Sequence, residues 1–206
     1  MSLETYSRLL HKAPDLEDYG DYTLNAGEMN PVIFSRFVQE LVKHNLPKVV
    51  WEPFAGTSAT QSANRSSLQD YAETVGVKLI SYGLRPADER ITIADSTAIG
   101  PNKTIGGMLF HPPYYGTMPM SQDKRDLSFM SGKTDYLKQL GLVIQNAIVF
   151  MVQDALACVV GRDYRANGER VRLDLMFLQL FESRGFRLRD VWKSTPDVVM
   201  IMGNNS

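Results

Sequence analysis

Lys48-Val49-Val50-Trp51-Glu52-Pro53-Phe54-Ala55-Gly56-Thr57-Ser58 passes from β-branched and aromatic residues into a turn that carries a proline and a glycine. Val49 to Trp51 suit a short strand, Pro53 cannot continue it, and Gly56 permits a tight turn. The polar, alanine- and serine-rich stretch that follows reads as a helix running toward Val75. Upstream, Val32, Phe34, Phe37, Val38, Leu41 and Val42 recur at three- and four-residue steps after Pro31, the pattern of an amphipathic helix opened by a proline. Downstream, strands are expected at 77–82, 90–94, 108–110 and 155–161. Tyr136, Leu140, Val143, Ile144, Ala147 and Ile148 mark a second long helix. A third stripe, Leu173, Met176, Phe177, Leu180 and Phe181, stops at Gly185. Residues 187–193 and 198–202 read as late strands around the turn Ser194-Thr195-Pro196-Asp197. This alternation implies an α/β fold with a doubly wound, mostly parallel sheet, closed by a C-terminal antiparallel hairpin.

The 206 residues suit one domain with a substantial core, since single domains commonly run to about 100–200 residues. That domain is expected over 31–206, preceded by an irregular, acidic arm over 1–30 and carrying no separate target-recognition domain. With 44% apolar and 22% charged residues the composition is that of a soluble globular protein, and no apolar run approaches the roughly 20 residues that cross a bilayer. No signal-peptide pattern opens the chain, and its single cysteine, Cys158, lies in an apolar run and reads as a buried strand residue, so a cytoplasmic location is expected. Three scattered histidines and one cysteine offer no metal-ligand spacing, and no metal is expected. A net charge of −1 gives no global attraction to nucleic acid, so such a partner needs a local basic face. Arg162, Arg165, Arg170 and Arg172 around Asn167-Gly168 form the candidate phosphate-contacting cluster. Residues 116–133, with Lys124 and Arg125, read as a flap over a substrate or as a plain surface loop.

Ligands of doubly wound sheets bind beyond the carboxyl ends of the strands, where the strand order reverses. Glu52 to Ser58, Gly83 to Arg85, Asp95-Ser96, His111 to Tyr115 and Arg162 to Arg165 all follow expected strands and are expected on one edge. His111-Pro112-Pro113-Tyr114 is the most informative of these. Two prolines fix φ and surrender their N–H groups, which leaves nearby carbonyls to accept hydrogen bonds from outside the backbone. A flat substrate bearing an NH2 group fits, with the amine donating to Pro112 O and a His111 ring nitrogen while Tyr114 stacks on the ring. By itself the tetrad also suits an ordinary strand-ending turn.

The two motifs together resemble a known family. Val49 to Gly56 is similar to the Asp-Pro-Phe-x-Gly loop of the S-adenosylmethionine-dependent DNA amino-methyltransferases. About 55 residues later, His111 to Tyr114 resembles that family's Asp/Asn/Ser-Pro-Pro-Tyr motif. The Asn30-Pro31 helix, Ala94-Asp95-Ser96, residues 160–164 and residues 182–188 resemble its surroundings, so the likeness spans about residues 22 to 193. It implies a Rossmann-like class I methyltransferase fold and S-adenosylmethionine as cofactor. Pro31, Glu52, Pro53, Phe54, Ala55, Gly56 and Thr57 would hold that cofactor, with Asp95 on its adenine amino group and Ser96 beside it. His111, Pro112, Pro113 and Tyr114 would be catalytic. The methyl would go to the exocyclic amine of a base flipped from DNA, adenine N6 first and cytosine N4 second. Tyr115, Lys124, Arg125, Arg162, Arg165 and Arg170 would contact the DNA, and a specificity partner or second subunit would complete recognition.

Two positions depart from the family pattern. Ser58 stands where a second loop glycine is usual, and Gly83 where an acid usually meets the cofactor ribose. These departures leave room for a catalytically degenerate binding or scaffold protein. Methylation of RNA or of a protein amide is the other alternative.

Overall fold

The computed structural model describes residues 1–16, 31–55, 68–84, 89–116, 123–130, 132–166 and 168–204. At its centre are β1 (Val49–Glu52) and β4 (Ile105–Phe110), which pair in parallel. On the far side of β1 lie β2 (Lys78–Gly83) and the two-residue β3 (Thr92–Ile93), also parallel. Beyond β4 come β5 (Met151–Ala166), parallel to it, and the antiparallel pair β8 (Asp197–Asn204) and β7 (Phe186–Ser194). The order among the described residues is β3-β2-β1-β4-β5-β8-β7, with β6 (Glu169–Arg172) paired to the outer part of β5. The order reverses between β1 and β4, the place where ligands bind in sheets of this kind.

Helices cover both faces, and this explains the unbroken apolar runs in the central strands. On one face Trp51, Met108, Phe110, Ala157 and Val159 pack with α4 (Lys133–Ile148) and α5 (Leu173–Glu182). On the other, Val50, Leu109, Cys158 and Val160 pack with α2 (Pro31–Lys43) and α3 (Leu68–Thr74). Consecutive residues alternate between the two clusters because successive strand side chains point to opposite faces. Cys158 is fully buried, and its thiol is pushed up by burial alone.

Three sequence expectations need correction. The lead-in is not irregular over its first part: α1 (Leu3–Lys12) is a helix, capped by Ser2, whose Oγ accepts from Thr5 N. Its Tyr6 is fully buried and donates to Asp174 Oδ2 at 3.1 Å. That contact lies 168 residues away in sequence, beyond the reach of any local pattern. The strand expected at 155–161 is sixteen residues long, because its start pairs with β4 from Met151 and its charged end, 163–166, pairs with β6 through a turn at Gly168 (φ +81°). Around Leu127–Phe129 the expected flap or loop carries a 3-10 turn with Asp126, Leu127 and Ser128 buried. The part of that segment at 117–122, and the helix expected to begin after Ser58, lie outside the described residues until α3.

The first turn of α5 sits directly behind β5. A Cβ on Gly161 would stand 3.0 Å from Asp174 N and 3.1 Å from its Cα, so a side chain here would press on the backbone of α5 and glycine eases this approach. Asp174 itself is 1% exposed, and both its oxygens receive Arg172, at 3.0 and 2.6 Å. The buried charge is therefore paired and bonded, as it must be to sit there.

Candidate active site

Glu52 ends β1 and faces Ser81 in register on β2. Ser81 Oγ donates to Glu52 Oε2 at 2.6 Å and accepts from Gln69 Nε2 at 2.7 Å, so the carboxylate is held in one orientation. Burial pushes the Glu52 carboxyl up to about 7, against the smaller opposing effect of the Ser81 hydrogen bond. The folded protein thus holds this proton more tightly than the unfolded chain, whose carboxyl titrates near the ordinary 4.5. Stability from this group is full below that value and is lost as pH rises through about 7. Glu52→Gln, whose amide oxygen still accepts from Ser81, is expected to raise stability at pH 8 by about 1–3 kcal/mol and by less at pH 5. Urea unfolding at the two pH values checks this, and an equal change at both would refute it.

The loops beside Glu52 are tied together. Ser96 Oγ donates to Pro53 O at 2.8 Å, Ala55 N to Tyr82 O at 2.9 Å, and Asn146 Nδ2 from α4 to Ser96 O at 3.0 Å. Phe54 lays its ring edge-on to Phe110, centroids 5.5 Å apart. Asp95 Oδ1 accepts from both Thr97 N (2.9 Å) and Thr97 Oγ1 (2.6 Å), closing a tight turn, while Oδ2 has no hydrogen bond among the described residues. Ser96 is buried and its hydroxyl is committed to the Pro53 carbonyl. Pro31 opens α2. Gly56, Thr57 and Ser58 lie outside the described residues. Gly83 ends β2, and its carbonyl accepts from Ala94 N at 3.1 Å.

The tetrad begins directly after β4 and is pinned from three elements. Tyr136 of α4 donates to Pro113 O at 2.9 Å, and Tyr164 of β5 donates to Tyr115 O. Tyr114 donates to Asp197 Oδ1 of β8 at 3.2 Å. Its ring stacks on Tyr164, centroids 5.6 Å apart and planes 18° apart. His111 Nε2 lies 3.3 Å from the Tyr114 hydroxyl. With these bonds made, Pro112 O and His111 Nδ1 accept no hydrogen bond among the described residues. Burial holds His111 below the usual imidazole value, with the Asp197 charge opposing and Arg162 reinforcing the effect, so the ring is neutral near pH 7.

The arginines expected to form one cluster are divided. Across the β5–β6 hairpin Asp163 faces Arg172 and Arg165 faces Arg170, and directly opposed residues share a face. Arg165, Arg170, Arg172 and Asp163 therefore lie on one side, with Arg170 and Asp163 forming an ion pair. Arg162, with Tyr164, is on the other side, where its Nε donates to Asp197 at 2.8 Å and its Cζ lies 5.5 Å from the Tyr114 centroid. The period of two in a strand separates what looked contiguous in sequence. Arg165 and Lys124 are exposed. Arg125 is exposed too, paired with Asp123 at 2.7 Å and near enough to Asp95 to feel its charge.

Asp197, Tyr136 and Tyr164 are site residues that the sequence did not single out. Asp197 stood only as part of a turn and Tyr136 only as a helix-stripe residue. Tyr164 had a signal, its place after Arg162-Asp163 at a strand end, but no role followed from that alone. Among the described residues no group of three or more His, Cys, Asp or Glu is placed to hold a metal ion, and no helix is long and apolar enough to cross a membrane.

No family model and no curated protein sequence matches the chain. Solved structures do resemble it. The 1,6-didemethyltoxoflavin-N1-methyltransferase of Burkholderia thailandensis, with bound 1,6-didemethyltoxoflavin and S-adenosylhomocysteine, is 14% identical over 94% of this chain and 100% of its own, with a TM-score of 0.50. The N-methyltransferase NodS of Bradyrhizobium japonicum WM9, in complex with S-adenosylhomocysteine, is 8% identical over 98% of each chain, with a TM-score of 0.51. TrmN of Thermus thermophilus is 15% identical over 88% of this chain, with a TM-score of 0.50, and the chain spans 51% of TrmN's length. At these identities the likeness is one of fold. The chain has the Rossmann-like α/β fold of these methyltransferases, a mostly parallel open sheet closed by an antiparallel pair of strands.

Proposed function

We propose that this protein transfers a methyl group from S-adenosylmethionine to the exocyclic amine of a base flipped out of DNA, adenine N6 in first place and cytosine N4 in second. The observation that carries the reading is the pair of acceptors, Pro112 O and His111 Nδ1, left without a hydrogen bond among the described residues at the carboxyl end of β4. The hydrogen bonds with Tyr136, Tyr164 and Asp197 hold the turn that carries them. The Pro-Pro-Tyr resemblance supplies the base and the DNA. The fold, shared with methyltransferases solved with S-adenosylhomocysteine, supports the cofactor.

The residues present fit such a cofactor. Glu52 is an acid whose pKa burial raises to about 7, and it gains a cationic partner if an ammonium group binds beside it. Asp95 keeps one carboxylate oxygen for an adenine amine. Gly83, at the end of β2, brings no carboxylate to the ribose, which lowers affinity by about 1–3 kcal/mol relative to a site with that acid. When bound, S-adenosylmethionine supplies the sulfonium methyl.

The rest of the chemistry falls to the chain. An exocyclic amine is a poor nucleophile because its lone pair is delocalised into the ring. Pro112 O and neutral His111 accept its two N–H groups and orient the nitrogen, and Tyr114, backed by Tyr164, provides the stacking surface. His111 can serve only when neutral, since a protonated imidazole has no acceptor.

Incubation of the protein with labelled S-adenosylmethionine and unmethylated duplex DNA, followed by digestion to nucleosides, tests this. Label in N6-methyladenine is the expected result, and label in N4-methylcytosine would change the base. An unlabelled DNA beside a working control methylase would overturn the reading in favour of RNA, a protein amide or a non-catalytic binding role.

A further inference from the structure

Asp197 is 5% exposed and stands 83 residues from Tyr114 in sequence, yet one oxygen, Oδ1, meets both Tyr114 Oη at 3.2 Å and Arg162 Nε at 2.8 Å. Beta pairing brings them together, because Asp197 is the first residue of β8 and is directly opposite Arg162 on β5. With the Arg162 guanidinium and the Tyr114 hydroxyl both directed at it, Oδ1 accepts from both. Tyr114 has one hydroxyl proton, and that proton goes to Asp197. The Tyr114 oxygen must then be the acceptor in its 3.3 Å contact with His111 Nε2, so Nε2 is the donor. A neutral imidazole with its proton on Nε2 carries its lone pair on Nδ1.

We propose that Asp197, anchored by Arg162, is a positioning residue that acts through the Tyr114 hydroxyl to hold His111 in the Nε2–H form with Nδ1 as the acceptor. Nothing in the tetrad itself decides this tautomer. Were the Asp197 carboxylate absent, the Tyr114 hydroxyl proton would no longer be drawn to it and could turn to His111 Nε2, with the His111 proton on Nδ1. The atom assigned to the substrate amine would then be a donor facing a donor. Functionally the proposal rests on the amine-acceptor reading of His111, but the tautomer is a property of the protein alone and is measured without cofactor or substrate.

The chain has three histidines, so the imidazole nitrogens of uniformly 15N-labelled protein give a simple long-range 1H–15N correlation spectrum, with His111 assigned by its loss in His111→Ala. At pH 8 wild type is expected to show His111 as a single Nε2–H tautomer. Asp197→Ala is expected to shift both nitrogen signals toward a mixture containing the Nδ1–H form. Asp197→Asn, whose amide oxygen still accepts from Tyr114, is expected to keep the wild-type pattern. Should Asp197→Ala fail to fold, Tyr114→Phe, which keeps the ring and removes the oxygen, makes the same test. An Nδ1–H or mixed His111 in wild type, or a pattern unmoved in Asp197→Ala and Tyr114→Phe, overturns the proposal. In the transfer assay Asp197→Ala is expected to lower kcat about 10- to 100-fold with cofactor Kd changed less than about twofold. If the tautomer responds as expected and no variant or wild type methylates DNA, the function reading fails and the positioning role of Asp197 stands.

Discussion

His111→Ala is expected to lower methyl transfer by about 100- to 1,000-fold in kcat, the usual cost of removing one preorganised hydrogen-bonding group from a reacting centre. The fold should survive, because the only hydrogen bond of the His111 side chain among the described residues is the 3.3 Å contact with Tyr114. Cofactor affinity should change little, since Glu52 ends β1 and Asp95 lies in the turn after β3. Pro112 O remains in the variant and accounts for the residual rate. The pH profile gives an independent check. Burial and Arg162 hold the His111 pKa below its ordinary 6.5, with Asp197 opposing, so at saturating cofactor the acidic limb of the wild-type kcat should lie below pH 6.5 and kcat should be level from there to pH 8, while Glu52, near 7 in the free protein, affects kcat/KM instead. A limb above 6.5, or a variant as active as wild type, would remove His111 from the mechanism.

Phe110→Ala should destabilise the protein by about 3–5 kcal/mol, the range for emptying a buried aromatic site. Phe110 is fully buried at the last position of β4 and meets Phe54, Phe177 and Phe181 edge-on at 5.5, 5.6 and 5.0 Å. It joins the loop after β1 to α5, so the cavity would open directly beneath the tetrad. Such a loss is a large share of the 5–15 kcal/mol that typically holds a domain together. Urea unfolding measures it, and a cost under about 1 kcal/mol would mean that the aromatic cluster collapses into the space. Reduced activity is expected even where the variant stays folded, because His111 is the next residue in the chain.

Much of the architecture was legible because it is written in local patterns. The unbroken apolar runs of Val49 to Trp51 and of residues 155–160 demanded cover on both faces, and helices at three- and four-residue periods were available to supply it. Strand ends followed from those runs, and the crevice side of a parallel sheet then placed Glu52, Asp95 and His111 on one edge. Prolines made the tetrad readable as chemistry, because a residue without an N–H announces unspent carbonyls. Charged strands were harder. Residues 163–166 carry charges at two of four positions, and pairing with β6 makes them strand. The two-residue β3 shows the converse, a longer apolar stretch cut short because just Thr92 and Ile93 pair with β2.

By itself, then, the sequence determined the α/β class, the strand-helix alternation and the chemical identity of the tetrad, because burial periodicity and proline geometry act within a few residues. Tertiary structure alone decided which acceptors remain open and what holds them. Tyr136, Tyr164 and Asp197 come to residues 113–115 from α4, β5 and β8 over sequence separations of 23, 49 and 83 residues. Hydrogen bonds across such distances depend on strand order and register, and no local pattern in the chain encodes them.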